Sequence, residues 1–168
     1  MKRLDPRIRV DTLAQLDLKA LRQKGFKGIL IDLDNTISPW RQNRITEEAR
    51  RFFREAKALD FKICLFTNAK PHRAVPVSQN LGIRCFPKAH KPFGVHYRAA
   101  LREMELEASE TLMIGDQIFT DIWGGNRAGC HTVLLPPLYP KNEFVGTKCL
   151  RVLERIFGYH QTIRRSGN

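Results

Sequence analysis

The stretch Gly28-Ile29-Leu30-Ile31-Asp32-Leu33-Asp34-Asn35-Thr36 decides the fold, because an apolar run leads directly into two carboxylates, an amide and a hydroxyl. Such a run is typical of a β-strand that helices cover on both faces. The polar residues after it favour a turn. Residues 28–33 are therefore predicted to form a buried strand that delivers Asp32 and Asp34 to its carboxyl end.

Strand-like and helix-like segments alternate along the rest of the chain. Short apolar runs predict further strands at 61–66, 83–86, 111–114 and 131–135. Helices are predicted over 18–24, after Thr46, from Pro71, from Pro92 and over 120–128. This order predicts a Rossmann-like three-layer α/β sandwich, in which a mostly parallel central sheet has helices on both faces. We expect residues 1–168 to form one such domain.

Polar residues follow four of the predicted strands, at the edge where open parallel sheets bind ligands. They are Asp32 and Asp34 after the first strand, Thr67 and Asn68 after the second, Lys88 and Lys91 after the third, and Asp116 and Asp121 after the fourth. A buried mixture of carboxylates and lysines is costly unless ions or ligands complete it. Phosphoryl transfer through an aspartyl-phosphate uses this set, because it needs a nucleophilic carboxylate, an acid/base and cationic donors.

The order of these residues resembles that of the haloacid dehalogenase-like phosphatases. Asp32 to Thr36 reads D-x-D-x-T, the first motif of that superfamily, and the other three motifs follow in sequence. The segments 89–92 and 115–121 are similar to those of the YqeG family, a subfamily IIIA phosphatase family. That family resembles the phosphatidylglycerophosphate phosphatases in turn, and the similarity extends over nearly the whole chain.

The resemblance implies a catalytic carboxylate pair and a magnesium site. Asp32 is expected to be the nucleophile and a Mg²⁺ ligand. Asp34 is expected to be the general acid/base, with its backbone carbonyl on Mg²⁺. Asp116 would supply the other protein carboxylate to the metal, in keeping with the oxygen ligands that Mg²⁺ prefers.

The resemblance also implies a phosphate-binding half of the site. Thr67 and the amide of Asn68 are expected to hold the phosphoryl group, and Lys91 to neutralise its charge. Lys88 competes for the lysine role, although a helix opening at Pro92 favours Lys91. Asp121 would orient Lys91 or a metal-bound water; a simple helix-terminal acid is the alternative. His72 and Arg73 follow the second motif, so both are candidates for substrate contact.

The spacing of the motifs predicts a capless enzyme. Residues 36–67 and 68–91 each have room for about one helix and one strand, and neither interval holds a cap domain. An open site of this kind suits large substrates, whose bulk shields the reaction from water. A phosphatidylglycerophosphate head group, a phosphoprotein and a nucleic-acid end all qualify, and a soluble phosphometabolite remains an alternative.

The charge favours anionic partners. Lys and Arg number 29 against 17 Asp and Glu, a net charge of +12. A nucleic-acid-binding or phosphate-binding module on the same fold is the competing hypothesis, but the sequence carries no nucleic-acid recognition signature. A basic helix predicted over about 148–164 would either lie on an anionic membrane or pack on the domain. With no signal peptide or apolar span in the sequence, we expect the cytoplasm or the inner face of the membrane. The sequence does not indicate an oligomeric state.

Overall fold

The computed structural model of the chain describes residues 4–40, 42 and 44–139. In this part a parallel sheet has the strand order β1-β6-β5-β2-β3-β4. Its strands are β1 (Ile8–Arg9), β2 (Gly28–Ile31), β3 (Lys62–Phe66), β4 (Arg84–Phe86), β5 (Thr111–Gly115) and β6 (His131–Leu134). The predicted α/β class and parallel sheet are confirmed. The predicted helix over 148–164 lies outside the described residues.

The helices follow the strands as the alternation predicts. They are α1 (Leu18–Gln23), α2 (Glu47–Ala58), α3 (Pro71–Leu81), α4 (Gly94–Met104) and α5 (Trp123–Ala128). Asp17 and Thr46 begin α1 and α2 because their side chains accept hydrogen bonds from the first-turn amides. Gly82 ends α3 in the left-handed conformation, at φ 59°.

Alternate residues of the central strand β2 are buried in two separate hydrophobic cores, one on each face of the sheet. The fold therefore has three layers, with helices on both sides of the sheet. Ile29 and Ile31 pack with Phe53 and other residues of α1, α2 and α3 on one face of the sheet. Leu30 packs with Tyr97 and other residues of α4 on the opposite face. All of these side chains are buried, as the apolar run predicts for a strand covered twice.

The helix predicted from Pro92 is present as α4, but it begins two residues later, at Gly94. A turn occupies the preceding residues, in which His90 has φ 44° and the amide of Phe93 donates to the His90 carbonyl. Val95 is 57% exposed, whereas Tyr97 is fully buried against the ring of Phe66, 4.6 Å between centroids.

The helix predicted over 120–128 begins earlier, with a π-helical turn at Ile118–Ile122 that continues into α5. The described residues between Thr36 and Thr67 hold only α2 and β3 as regular elements, and those between Asn68 and Lys91 hold only α3 and β4. The prediction of no cap in these intervals agrees with that. None of the described helices has the length and apolar character that a membrane span requires.

Candidate active site

The carboxyl ends of three neighbouring strands bring the predicted site residues together. β2 lies between β3 and β5 in the sheet, so Asp32, Thr67 and Asp116 follow adjacent strands. Hydrogen bonds of the sheet extend to these residues, since the Asp32 amide donates to the Ile114 carbonyl at 2.9 Å and the Thr67 amide to the Phe86 carbonyl at 3.2 Å. The sheet therefore fixes the backbone from which the site side chains project.

Lys91 forms the centre of a buried ion network. Its Nζ lies 2.6 Å from Asp32 Oδ1 and 2.7 Å from Asp121 Oδ1. The side chain of Asn68 anchors the lysine backbone, because its Oδ1 accepts from the Lys91 amide at 2.8 Å. Lys88 is exposed on the preceding turn. The structure thus places Lys91, and not Lys88, against the carboxylates.

Three carboxylates converge beside this lysine. The oxygens of Asp32, Asp116 and Asp121 lie within 4.8 Å of one another, and all three residues are buried. Thr36 of the first motif donates from its hydroxyl to Asp116 Oδ1 at 3.2 Å, which orients that carboxylate. The predicted ligands Asp32 and Asp116 are therefore adjacent, while the carboxylate of Asp34 lies outside this group of three. A cluster of hard oxygen donors fits a divalent cation such as Mg²⁺.

The charge balance of the cluster agrees with a cation. Burial raises the pKa of Asp32 to about 7; Lys91 opposes that rise, and the charges of Asp121 and Asp34 add to it. Burial disfavours the charged form of Lys91, but the carboxylates of Asp121 and Asp32 outweigh this and raise its pKa. One ammonium thus faces three carboxylates. A divalent cation would complete the balance and favour the ionised form of Asp32.

Asp121 is held by its surroundings on both oxygens. Oδ2 accepts from the Gln117 amide at 3.1 Å, while Oδ1 accepts from the lysine. Gly115 leaves the space for this carboxylate, since a Cβ there would lie 2.2 Å from Oδ2. Tyr97 supports the same turn through its hydroxyl, which donates to the Thr120 carbonyl at 2.9 Å. Tyr97 was not among the site residues predicted from the sequence.

Asp34 and Arg73 form a bidentate ion pair at the edge of the cluster. Arg73 Nη1 donates to Asp34 Oδ2 at 2.7 Å, and Nη2 donates to Oδ1. Both side chains are mostly buried, with 17% of Arg73 and 20% of Asp34 exposed. Of the two candidates after the second motif, Arg73 contacts a predicted catalytic residue, while His72 is exposed.

The predicted phosphate-binding residues, Thr67 and Asn68, directly follow β3. Thr67 is buried, and its hydroxyl accepts from the Ala69 amide at 3.1 Å. The side-chain amide of Asn68 is engaged with Lys91 through both of its polar atoms, so this side chain positions the lysine. That Thr67 and Asn68 bind the phosphoryl group stays a prediction.

Comparisons with known proteins agree with this arrangement. The family model for the haloacid dehalogenase-like hydrolases matches residues 12–129. The probable phosphatase YqeG of Bacillus subtilis is 36% identical over 87% of this chain and 84% of its own. The chloroplastic and mitochondrial phosphatidylglycerophosphate phosphatase 1 of Arabidopsis thaliana is 31% identical over 89% of this chain, but over only 45% of its own length.

Solved structures share the fold at low sequence identity. The cobalt-bound deoxy-D-mannose-octulosonate 8-phosphate phosphatase of Haemophilus influenzae aligns with a TM-score of 0.55 at 15% identity, over 81% of this chain and 90% of its own. The D,D-heptose 1.7-bisphosphate phosphatase of B. bronchiseptica, complexed with magnesium and phosphate, aligns with a TM-score of 0.53 at 17% identity, over 65% and 80%.

Proposed function

The chain belongs to the haloacid dehalogenase-like hydrolases and is a phosphatase of the YqeG type, and from that premise we propose that it hydrolyses a phosphomonoester through an aspartyl-phosphate on Asp32, with Mg²⁺ as cofactor. The observation that carries the proposal is the network in which Lys91 bridges Asp32 and Asp121, with Asp116 within 4.8 Å of both carboxylates. A buried nucleophile, a fixed cation and a cluster of oxygen ligands are the parts that this chemistry requires.

The first half-reaction transfers the phosphoryl group to the enzyme. A carboxylate oxygen of Asp32 attacks phosphorus and the bond to the alcohol oxygen breaks, while the carboxyl group of Asp34 donates its proton to that leaving oxygen. Lys91 neutralises charge on the transferring group, because its ammonium is held against Asp32. The alcohol departs, and an acyl phosphate remains on Asp32.

The second half-reaction returns the enzyme to its starting form. Asp34, now ionised, accepts a proton from water as the water oxygen attacks phosphorus, and the bond between phosphorus and the Asp32 oxygen breaks. The products are inorganic phosphate and free Asp32. Asp34 regains its proton in this step, so the cycle closes.

The carboxylates of Asp32 and Asp116 and the backbone carbonyl of Asp34 would hold Mg²⁺, and Asp121 lies within reach of the same position. Bound there, the cation would supply charge neutralisation to the phosphoryl oxygens. Asp121 also has a role that needs no metal, because its Oδ1 accepts a second hydrogen bond from the ammonium of Lys91, which also donates to Asp32.

We propose phosphatidylglycerophosphate as the substrate. Two curated relatives, from Arabidopsis thaliana and Chlamydomonas reinhardtii, carry the name of that activity, although the chain spans 45% and 60% of their lengths. The absence of a cap between the described motif residues suits a lipid head group presented at a surface. The net charge of +12 would favour a peripheral position on an anionic membrane, at its cytoplasmic face.

Phosphate release by the full-length chain tests the function. We would compare a generic aryl phosphate, phosphatidylglycerophosphate in mixed micelles and soluble phosphometabolites, each with Mg²⁺ and with EDTA. The expected result is Mg²⁺-dependent release that is lost in Asp32→Asn, with preference for the lipid. Arg54→Gln is the control, because Arg54 is an exposed residue of α2 that pairs with Glu47. Release that survives in Asp32→Asn, or no release from any substrate by folded protein, would contradict the proposal.

A further inference from the structure

The ion pair between Arg73 and Asp34 points to a second anion site next to the reaction centre. We infer that Arg73 is a specificity-determining residue that binds a second anionic group on the alcohol portion of the substrate, a role that rests on the proposed phosphatase function. The ligand chemistry is a carboxylate, phosphate or phosphodiester oxygen pair. In the free enzyme the carboxylate of Asp34 occupies this position.

The geometry of the pair is that of anion recognition. Both Nη atoms of Arg73 donate to different oxygens of one carboxylate, the fork arrangement that matches carboxylates and phosphates alike. Arg73 lies in the first turn of α3, which follows the loop carrying Thr67 and Asn68. Arg73 thus connects the helix that follows the predicted phosphate-binding loop with the predicted acid/base.

The same pair is incompatible with turnover as it stands. Asp34 must turn one oxygen toward the leaving alcohol in order to transfer a proton. In the structure both of its oxygens face Arg73 instead. The pair must therefore open, at least on one side, during each catalytic cycle.

Opening the pair leaves Arg73 in need of another anion. The side chain is only 17% exposed, and its buried Nε has no hydrogen-bond partner among the described residues. A mostly buried guanidinium without a counter-ion is strongly disfavoured. A second anionic group on the substrate would replace Asp34 in the fork, so the charged hydrogen bonds would be exchanged rather than lost.

This exchange of anions at Arg73 predicts that the enzyme selects its substrates by the charge on their alcohol portion. A phosphomonoester whose alcohol carries a second anion would bind Arg73 and release Asp34 for proton transfer. A phosphomonoester with a neutral alcohol would leave the pair closed. The contribution should appear in kcat as well as KM, because the same contact that holds the substrate also frees the acid.

A matched pair of soluble substrates tests the inference on the full chain with Mg²⁺. Glycerol 3-phosphate and 3-phosphoglycerate are both primary alkyl phosphates, and the second adds a carboxylate. A glycerol phosphate bearing a phosphodiester forms a third arm, which distinguishes the two kinds of anion. We would measure kcat and KM for wild type, Arg73→Gln and Arg73→Lys, with Arg54→Gln as control and circular dichroism as the check on folding.

We expect wild type to favour one or both substrates that carry a second anionic group over glycerol 3-phosphate by about 10- to 100-fold in kcat/KM, the range for a charged, bidentate contact. Arg73→Gln should remove most of that preference while changing glycerol 3-phosphate turnover far less. Arg73→Lys should keep the charge and part of the preference. Arg54→Gln should match wild type.

The failure of this inference is distinct from failure of the proposed function. Equal losses on all three substrates in folded Arg73→Gln and Arg73→Lys would make the pair merely structural and overturn the inference, with the phosphatase assignment intact. A wild-type enzyme with no preference would overturn it too. If the folded wild-type enzyme hydrolyses none of the three substrates and not the aryl phosphate in the presence of Mg²⁺, both the proposed function and the inference are wrong.

Discussion

The substitution Gly115→Ala would place a methyl group inside the buried ion network. The new Cβ would lie 2.2 Å from Asp121 Oδ2, 2.3 Å from its Cγ and 2.5 Å from its Cβ. Ordinary contacts between such atoms are about 3.5 Å, so either Asp121 or the end of β5 must move by roughly 1 Å. Asp121 is fully buried, so its carboxylate cannot move without leaving its observed hydrogen bonds or displacing packed neighbours.

We expect two measurable losses from this displacement. Overpacking of a filled interior costs about 1–3 kcal/mol in the free energy of unfolding. Because Asp121 holds the ammonium of Lys91, a shift of that size should also lower kcat by about 100-fold. Urea unfolding followed by circular dichroism would give the first quantity, and Mg²⁺-dependent phosphate release the second.

Gly94→Ala is the matched control. Its new Cβ would approach only the terminal Nη1 of Arg98, at 3.3 Å, and that flexible side chain can move aside. We therefore expect near-wild-type kcat and stability. A Gly115→Ala protein with wild-type kcat would refute the reasoning that Asp121 must occupy its observed position for Lys91 to act.

Three further predictions concern the same network. Lys91→Met should abolish turnover and, in metal-free protein, lower the free energy of unfolding by about 3–5 kcal/mol, because it leaves buried carboxylates without their cation. Phosphate-release kinetics measure the first effect and urea unfolding the second. A fully active variant would contradict the role of the lysine. Burial raises the pKa of Asp32 to about 7 from 3.8, so the folded state binds that proton more tightly and metal-free stability should fall as pH rises from about 4 to about 7. Metal-free Asp32→Asn should lack that fall, and its free energy of unfolding should exceed that of wild type by roughly 2–4 kcal/mol at pH 8 but not at pH 4. Thermal unfolding with the same pH profile in both proteins would contradict this prediction. Tyr97→Phe removes the hydroxyl that donates to the Thr120 carbonyl, so we expect about 0.5–1.5 kcal/mol lower stability and a modest loss of kcat; unchanged stability and kcat would show that this hydrogen bond does not support the turn.

The sequence predicted the features that depend on local pattern and on the sheet's geometry. The apolar run over residues 28–33 predicted a strand covered on both faces; the strand spans Gly28–Ile31, and Ile29 and Leu30 enter different cores. The positions of Asp32 and Asp116 followed from parallel pairing, because adjacent carboxyl ends lie at one edge. Such features depend only on the alternation of strands and helices along the chain and on a parallel sheet.

Features that depend on long-range packing were not predicted. Strand β1, which pairs with β6, has only two residues, Ile8–Arg9. Two residues are too few to show the alternating pattern by which a strand is predicted. The hydrogen-bonded ion pair of Arg73 and Asp34 joins residues that are 39 positions apart in the chain. The sequence around either residue does not indicate this contact. Tyr97 was not predicted because its burial against Phe66 depends on how α4 packs on the sheet.

The central claim is that Asp32 carries the phosphoryl group. The most direct measurement is to quench the Mg²⁺-activated enzyme during turnover, reduce the acyl phosphate with borohydride and map the modified residue by peptide mass spectrometry. We predict modification at Asp32 in wild type, and none in Asp32→Asn or in protein without substrate. Modification at another carboxylate, or rapid turnover with Asp32 never labelled, would contradict the assignment of the nucleophile.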